Sequence, residues 1–549
     1  METTSARPGD PHPGTSSPAT ITAAVIDDAD GNFKRRLGWL SLAFLTFTSM
    51  MGSGWLFAAY YAGSMAGPAA LLSWIVAAVA TALVALTFIE LGVTRPIAGG
   101  NTRWPSMMSG PFMGIMVGWL TLVSTAFGMP SEASGLVQYA SGWWPAVLQD
   151  GKLSAIGLTV AALVLVLVTI LNMFGVMVMT RIAIVLTIFK IAVPLLTIAL
   201  LLASGFDGSN VATGGGFAPF GAGGVLTAVV SAGLIYSFGG VQIPALMAGE
   251  TKNPRRNLPI GTFVGFGAAF VVYMLLQVSF IWTVPNSMLA EAGWHGLNFD
   301  SPFAQLAGLL GLSWLIQLLL IDAVVSPGTG LLTGMGVAGR NTYGLGQSRF
   351  LPAMFAKVTK KTGIPVNALI FNLVISIVFL LMFQSWQGLV AALGFYFAVG
   401  YGVIAVAASV SQKDPRLVAR PWMKRGMPTV AAVSFIISGL LMYWSGWNQV
   451  WVGVALFIVA VPIAVIKMLQ DRKVFTPRLL LRGLWFPVYL IALLGLSAIG
   501  SFGGTGTIPA PWDSVVAAVV AGLFFWWGHR DSAAWLASPE AEKAVGVYY

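Results

Sequence analysis

The sequence of 549 residues contains no cysteine, so neither disulfides nor thiolate metal sites are available to it. Histidine is almost as scarce: His12, His295 and His529 are the three, and all lie outside the long apolar runs. Zinc or haem chemistry is therefore not expected, nor is any other cofactor. Charge is the third shortage. Charged side chains make up 9% of the chain against 57% hydrophobic ones, whereas a soluble domain carries about 25% charged residues. Water is not the main solvent of such a chain.

Hydrophobic length is what the sequence has in abundance. Apolar runs recur from Leu37 to Trp527, and a helix of about twenty residues spans a hydrocarbon core of roughly 30 Å. There are about fourteen such runs, at 38–62, 69–94, 111–141, 155–177, 182–203, 225–248, 260–284, 306–338, 366–384, 388–410, 427–445, 449–467, 484–500 and 512–528. The expected fold class is an all-α polytopic membrane protein. Residues 1–36, rich in Pro, Gly, Ser, Thr and Ala without an apolar core, read as a disordered cytoplasmic tail and not a signal peptide. Residues 529–549 read as a second short cytoplasmic tail.

The net charge of +10 does not point to a nucleic acid, because the basic residues are sorted by side. With a cytoplasmic amino terminus, all of the 29 Lys and Arg except Lys152 and Lys190 fall on cytoplasmic segments, which is the positive-inside pattern. The clusters are Lys34, Arg35 and Arg36; Lys252, Arg255 and Arg256; Lys357, Lys360 and Lys361; Arg420, Lys424 and Arg425; and Arg472, Lys473, Arg478 and Arg482. The expected partner is the lipid bilayer of an inner or plasma membrane, with both termini cytoplasmic. The many aromatics form an interfacial belt, Trp143, Trp144, Trp282 and Trp526 among them. Gly344 belongs to a Tyr-Gly-Leu-Gly-Gln turn without the Gly-Lys-Ser/Thr of a phosphate cradle.

Two runs hold stretches that a helix should avoid: Met51-Gly52-Ser53-Gly54-Trp55 in the first and Tyr236-Ser237-Phe238-Gly239-Gly240 in the sixth. Glycine also serves close helix packing in membranes. Two interruptions five spans apart, however, are what an inverted repeat of five plus five helices produces. Breaks free backbone groups where water is scarce. After the first break, amides around Ser53, Gly54 and Trp55 begin a new helix whose positive end suits a carboxylate. Carbonyls at the break around Phe238, Gly239 and Gly240 can accept from an ammonium group. An amino acid carries both charges on one carbon and fits better than a sugar or a bare inorganic ion.

With these residues in view, the chain resembles the amino acid/polyamine/organocation superfamily of permeases over about residues 38–467. The resemblance is carried by Met51-Gly-Ser-Gly-Trp55, by Glu90-Leu91 with Pro96 and Gly99-Gly100, and by Phe238-Gly-Gly-Val-Gln242. Ala248-Gly-Glu-Thr-Lys-Asn-Pro-Arg-Arg-Asn-Leu-Pro259 and the loop from Arg340 to Pro352 add to it. It implies a five-plus-five inverted-repeat transport core (37–410) with broken spans 1 and 6 and alternating access, followed by four accessory spans (411–528). It also implies that Gly52, Ser53 and Gly54 meet the substrate carboxylate and that Tyr236 is an aromatic lid. Gln242 stands where the family often has glutamate. Among the branches, the Gly-Ser-Gly-Trp run and the span count look most like bacterial aspartate/proton symporters, and no carboxylate for a cationic substrate stands in the sixth span.

Ionisable residues inside the membrane are functional candidates by default. Lys190 lies nine residues beyond Arg181, about 13 Å along the fifth helix. It is either a permanent structural cation or an amine whose proton comes and goes with conformation; in the resemblance it falls where sodium-coupled relatives hold their second sodium. Asp322, with Ser326 and Thr329 on the same helix face, is a partner for Lys190 or a proton carrier. Glu132, after Pro130, and Ser326 are candidates for the substrate route. Glu90 beside Arg95 and Arg103, and Glu250 beside Lys252 and Arg255, are expected to form a cytoplasmic gate or structural ion pairs. The expected function involves no covalent chemistry and is not that of an enzyme: a secondary active transporter taking up an acidic or neutral amino acid with a proton. Alternatives are an amino acid exchanger and, in other classes, a non-transporting sensor or an ion channel.

Overall fold

The computed structural model of the protein describes residues 35–97, 100–174, 176–347, 350–359, 363–414, 420–423, 425–470 and 482–541. The expected amino-terminal tail to residue 34, Lys34, Gly99, Lys360, Lys361, Lys424, Arg472, Lys473 and Arg478 lie outside the described residues, as does the side chain of Arg181. Helix dominates because backbone groups in hydrocarbon must bond within their own segment. In chain order the helices begin α1 (Trp39–Met50), α2 (Gly54–Ala66), α3 (Ala70–Thr94), α4 (Gly100–Ser109), α5 (Pro111–Tyr139), α6 (Ala155–Met173) and α7 (Val176–Gly205). The middle of the chain forms α8 (Gly221–Ser231), α9 (Leu234–Ser237), α10 (Ile243–Leu246), α11 (Pro254–Thr283), α12 (Asn286–Ala292), α13 (Pro302–Leu309) and α14 (Ser313–Gln347). The rest forms α15 (Val366–Phe383), α16 (Trp386–Ser411), α17 (Met427–Trp444), α18 (Trp447–Ile458), α19 (Ala460–Gln470), α20 (Trp485–Ile499) and α21 (Trp512–Leu536). A small antiparallel hairpin pairs β1 (Leu148–Gln149) with β2 (Lys152–Leu153).

Among the described residues, nine helical stretches are long and apolar enough to cross a membrane. The protein is therefore a multi-pass membrane protein. One of the nine, Gly54–Thr94, is divided into α2 and α3 by Gly67, whose φ of +61° is open to glycine at little cost. Two helices overrun their apolar runs: α14 continues to Gln347 and α21 to Leu536, so the expected polar tail from residue 529 begins inside a helix. An apolar run marks depth in hydrocarbon, whereas helical hydrogen bonding continues into the polar zone. The expected eighth run also begins differently, because Gly311 at φ +74° separates α13 from α14.

Burial divides the helices by role. α16 is apolar all round and buried on nearly every side, as expected of a central helix, and it packs on α17, α5 and α3. α6 and α15 turn Leu163, Leu167, Ile170, Val374, Val378 and Leu381 outward. The half-helices α1 and α2 lie against α11, and α5 crosses α14. The sixth-span helices α8 and α9 pack on both α2 and α16, so the first, third, sixth and tenth spans meet around one point.

Candidate functional site

The first span stops at Met50 and restarts at Gly54. Across the gap the Met51 amide donates to the Phe47 carbonyl (3.2 Å), and Gly52 N turns back to Met50 O (3.1 Å). The carbonyl of Thr48 has lost its usual partner four residues on, and it accepts instead from Lys190 Nζ at 3.4 Å. Met50 O accepts a second bond from Tyr273 Oη at 2.5 Å. On the far side of the break, Ser53 N has no helical acceptor and donates to Glu132 Oε2 at 3.0 Å. The break thus shows a cation at the carbonyl end of α1 and an anion at the amide end of α2, each on the side that the helix dipole favours.

Glu132 is held on α5 two residues after Pro130, which lacks the N–H that would bond Ala126. Its other oxygen, Oε1, accepts from Tyr236 Oη at 2.5 Å. Tyr236 Oη is also 3.0 Å from Ser53 Oγ, and Ser53 Oγ is 2.8 Å from Trp386 Nε1. An indole only donates, and Tyr236 has one proton, which it gives to Glu132, so the bonds run one way: Trp386 to Ser53, Ser53 to Tyr236, Tyr236 to Glu132. Four spans converge on this relay. Gly135 lets α5 pass, since a Cβ there would stand 2.9 Å from Trp386 and 3.0 Å from Ser53.

Lys190 is 6% exposed and interacts electrostatically with both Glu132 and Asp322. Neither carboxylate is within salt-bridge distance of it, so the direct Lys190–Asp322 pair entertained from sequence is not formed; the ammonium reaches the Thr48 carbonyl instead. Asp322 Oδ1 accepts from Ser326 Oγ at 3.1 Å, and Ser326 is thereby tied to its own helix. Asp322 Oδ2 and Trp55 Nε1 are buried and near one another, short of hydrogen-bond geometry.

The second break is less simple than its glycines imply. It begins at Gly233, in the left-handed region at φ +81°, gives the single turn α9, and opens again before α10 with Gly240 at φ +122°. Gly233 is a glycine that sequence reading passed over. A Cβ on Gly240 would run into Ser49, and one on Gly239 would stand 2.6 Å from the Phe397 ring. Phe238 is not at the site: its ring packs 5.4 Å from Trp74 and 5.1 Å from Phe266, because a side chain two residues from Tyr236 on one helical turn points to the other side. Of the sequence candidates, Gly52, Ser53, Gly54, Tyr236, Glu132 and Lys190 gather here; Gly239 and Gly240 serve packing between the sixth span and its neighbours.

Side-chain contacts flank the site on both sides. At the end without basic clusters, Trp386 stacks on Phe57 and Tyr61, with centroids 4.8 and 5.6 Å apart, while Tyr60 Oη donates to Leu297 O at 2.9 Å. Beyond lies a polar cavity of ≈ 420 Å³ lined by Ser141, Gln149, Asp150, Asn298, Asp300 and Gln305, where burial pushes the Asp300 carboxyl above its ordinary range. At the basic end, Glu90 does not pair with Arg95. It accepts from Gln412 Nε2 (3.1 Å) and Met423 N (2.9 Å), and Arg95 meets Asp414 at 2.6 Å, both side chains fully buried. The Glu250 carboxylate makes no salt bridge among the described residues; its backbone carbonyl accepts from Arg36 N and Leu37 N. Sequence reading missed Trp386, Thr48 and Asp414, and underrated Glu132. Trp386 follows the N-cap Ser385 and so reads as an interfacial aromatic; a backbone carbonyl leaves no trace in side-chain chemistry.

Comparisons with known proteins agree with one another. The family model described as amino acid permease matches residues 37–450. A glutamate/serine transporter, AimA, of Bacillus subtilis (strain 168) is 36% identical over 509 residues, covering 90% of this chain and 94% of the relative. The aspartate-proton symporter of the same organism is 31% identical over 504 residues, covering 90% and 96%. Among solved structures, a manganese transporter of Eremococcus coleocola superposes with a TM-score of 0.50 at 13% identity, covering 84% of this chain and 98% of the other, a likeness of fold alone.

Proposed function

The chain belongs to the amino acid permease family, and from that premise we propose that it is a secondary active carrier of an acidic or neutral amino acid, driven by protons. The observation that carries the reading is the Ser53 amide at the head of α2 with a carboxylate already on it. A backbone site that holds Glu132 in this way suits the α-carboxylate of a free amino acid. The substrate class rests on the two bacterial relatives, whose names give glutamate, serine and aspartate, and on Lys190 as the cation beside the site. Glu132 weighs the other way: sequence reading looked for a carboxylate in the sixth span alone, and the third span brings one.

The inverted repeat of five plus five spans, the total of fourteen and cytoplasmic termini in a cell membrane belong to the same proposal, supported by breaks in the first and sixth spans. Proton coupling is assigned to Lys190, with Asp322 as the neighbouring carboxylate. Reorientation of α1 takes the Thr48 carbonyl away from the ammonium, so the group that faces Lys190 changes with the state of the carrier. The test is uptake of L-glutamate, L-aspartate and L-serine into proteoliposomes with and without an imposed inward proton gradient. Accumulation under the gradient alone supports symport; turnover that requires amino acid on both faces makes the protein an exchanger.

A further inference from the structure

We infer that Glu132 is a tethered stand-in for the substrate carboxylate: its side chain occupies the Ser53 amide and must leave before an amino acid can bind there. The inference rests on reading the first-span break as the carboxylate subsite and adds what occupies that subsite between cycles.

The geometry sets Glu132 where a substrate carboxylate would meet the Ser53 amide. Oε2 of Glu132 takes the Ser53 amide and Oε1 takes the Tyr236 hydroxyl, so the first amide of the break and the hydroxyl beside it are in use. The space is filled as well. A Cβ on Gly52 would stand 2.5 Å from Oε1, and one on Gly330, from the opposite span, 3.4 Å from Cδ. A second ionised carboxylate in this water-poor pocket repels the first strongly.

Glu132 is equally ill placed to be the group that greets a substrate ammonium. Its two oxygens already face N–H and O–H donors, and an ammonium brought to them meets the positive end of α2. The displaced side chain has a cation beside it: Lys190 Nζ lies at the Thr48 carbonyl of the same break, and the flexible stem of Glu132 lets the carboxylate turn from the amide. Binding is then an exchange of one carboxylate for another, and measured affinity is a difference between two anion interactions. The device keeps the helix end satisfied when no substrate is present, and it lets the unloaded site close.

The test is equilibrium binding of L-serine and L-glutamate to the purified full-length protein and to Glu132→Gln. A neutral amide competes more weakly for Ser53 N than a carboxylate does, so binding is expected to tighten by roughly tenfold. Affinity unchanged or weakened in the variant overturns the inference, since Glu132 would then be a bystander or a substrate ligand. Should Glu132→Gln fail to fold, Tyr236→Phe keeps the ring and removes the hydroxyl that anchors Oε1; it too is expected to tighten binding, and weaker binding overturns the inference. Binding by wild type that weakens in both variants sinks the stand-in and spares the carrier. Absence of binding to wild type and variants alike sinks the reading of the site itself.

Discussion

Gly54 shows what a single missing side chain does here. A Cβ at this position would stand 2.5 Å from Ser237 Oγ and 3.3 Å from Ser237 Cα, so the residue is glycine because the sixth span lies against the first at the break. Gly54→Val therefore does more than crowd a substrate: it pushes α9 away, with an overpacking cost of about 1–3 kcal/mol, and Tyr236 on α9 moves with it. The expected outcome is a lower thermal midpoint in detergent together with lost binding; a variant as stable as wild type would show that the half-helices do not need this contact. Lys190→Ala is expected to abolish gradient-driven accumulation in proteoliposomes and to leave exchange measurable, whereas accumulation as steep as wild type's would make Lys190 a structural cation. The glycines of Met51–Trp55 and the depth of Lys190 were legible in sequence because glycine runs and charges are rare in apolar spans. That Glu132 sits on Ser53 was not, since seventy-nine residues separate the two and only the packing of α5 on the first span brings them together.

Among the elements, the basic end is closed by a contact that no local reading could assign. Arg95 follows α3 and Asp414 follows α16, 319 residues apart, and the expectation drew on sequence neighbours, pairing Glu90 with Arg95. Helix geometry explains the difference. Glu90 points to the segment after α16, where Gln412 Nε2 and Met423 N satisfy it, while Arg95, beyond the last turn of α3, turns to Asp414. Removing one partner of a buried pair costs about 3–5 kcal/mol because it strands the other charge. Arg95→Met should therefore lower the thermal midpoint sharply, and combining it with Asp414→Leu should recover much of the loss. If the single variant melts with wild type, the two charges are reached by water and do not lock α3 to α16. The helix interruptions were legible as composition, but their extent was not: Gly233 opens the sixth-span break earlier than the Phe238-Gly-Gly run indicates, through a backbone angle that no residue pattern fixes.

At the scale of the whole molecule, the last two helices are attached firmly to the rest. Asp513 at the head of α21 is fully buried and accepts from Tyr443 Oη of α17 (2.7 Å), from Ser501 N (3.0 Å) and from Ser514 N (2.6 Å). The loop between α20 and α21 is thus pinned to one end of α17, and α21 returns to the opposite end, where His529 meets Ser409 and Lys413 of the segment closing α16. That end carries the described members of the basic clusters, Arg35, Arg36, Lys252, Arg255, Arg256 and Arg420 among them. By the positive-inside pattern that end is expected in the cytoplasm, and the loop at Thr505 outside. The absence of cysteine makes the assignment simple to test, because any introduced thiol is the one that reacts. Thr505→Cys, on an exposed loop residue, is expected to react with a membrane-impermeant maleimide in intact cells. Glu540→Cys, past the end of α21 and likewise exposed, is expected to react only after the cells are permeabilised. Labelling of both from outside would mean that α20 and α21 do not form a transmembrane hairpin, and the reverse pattern would invert the whole carrier, setting its basic loops against the rule that charge sorting obeys.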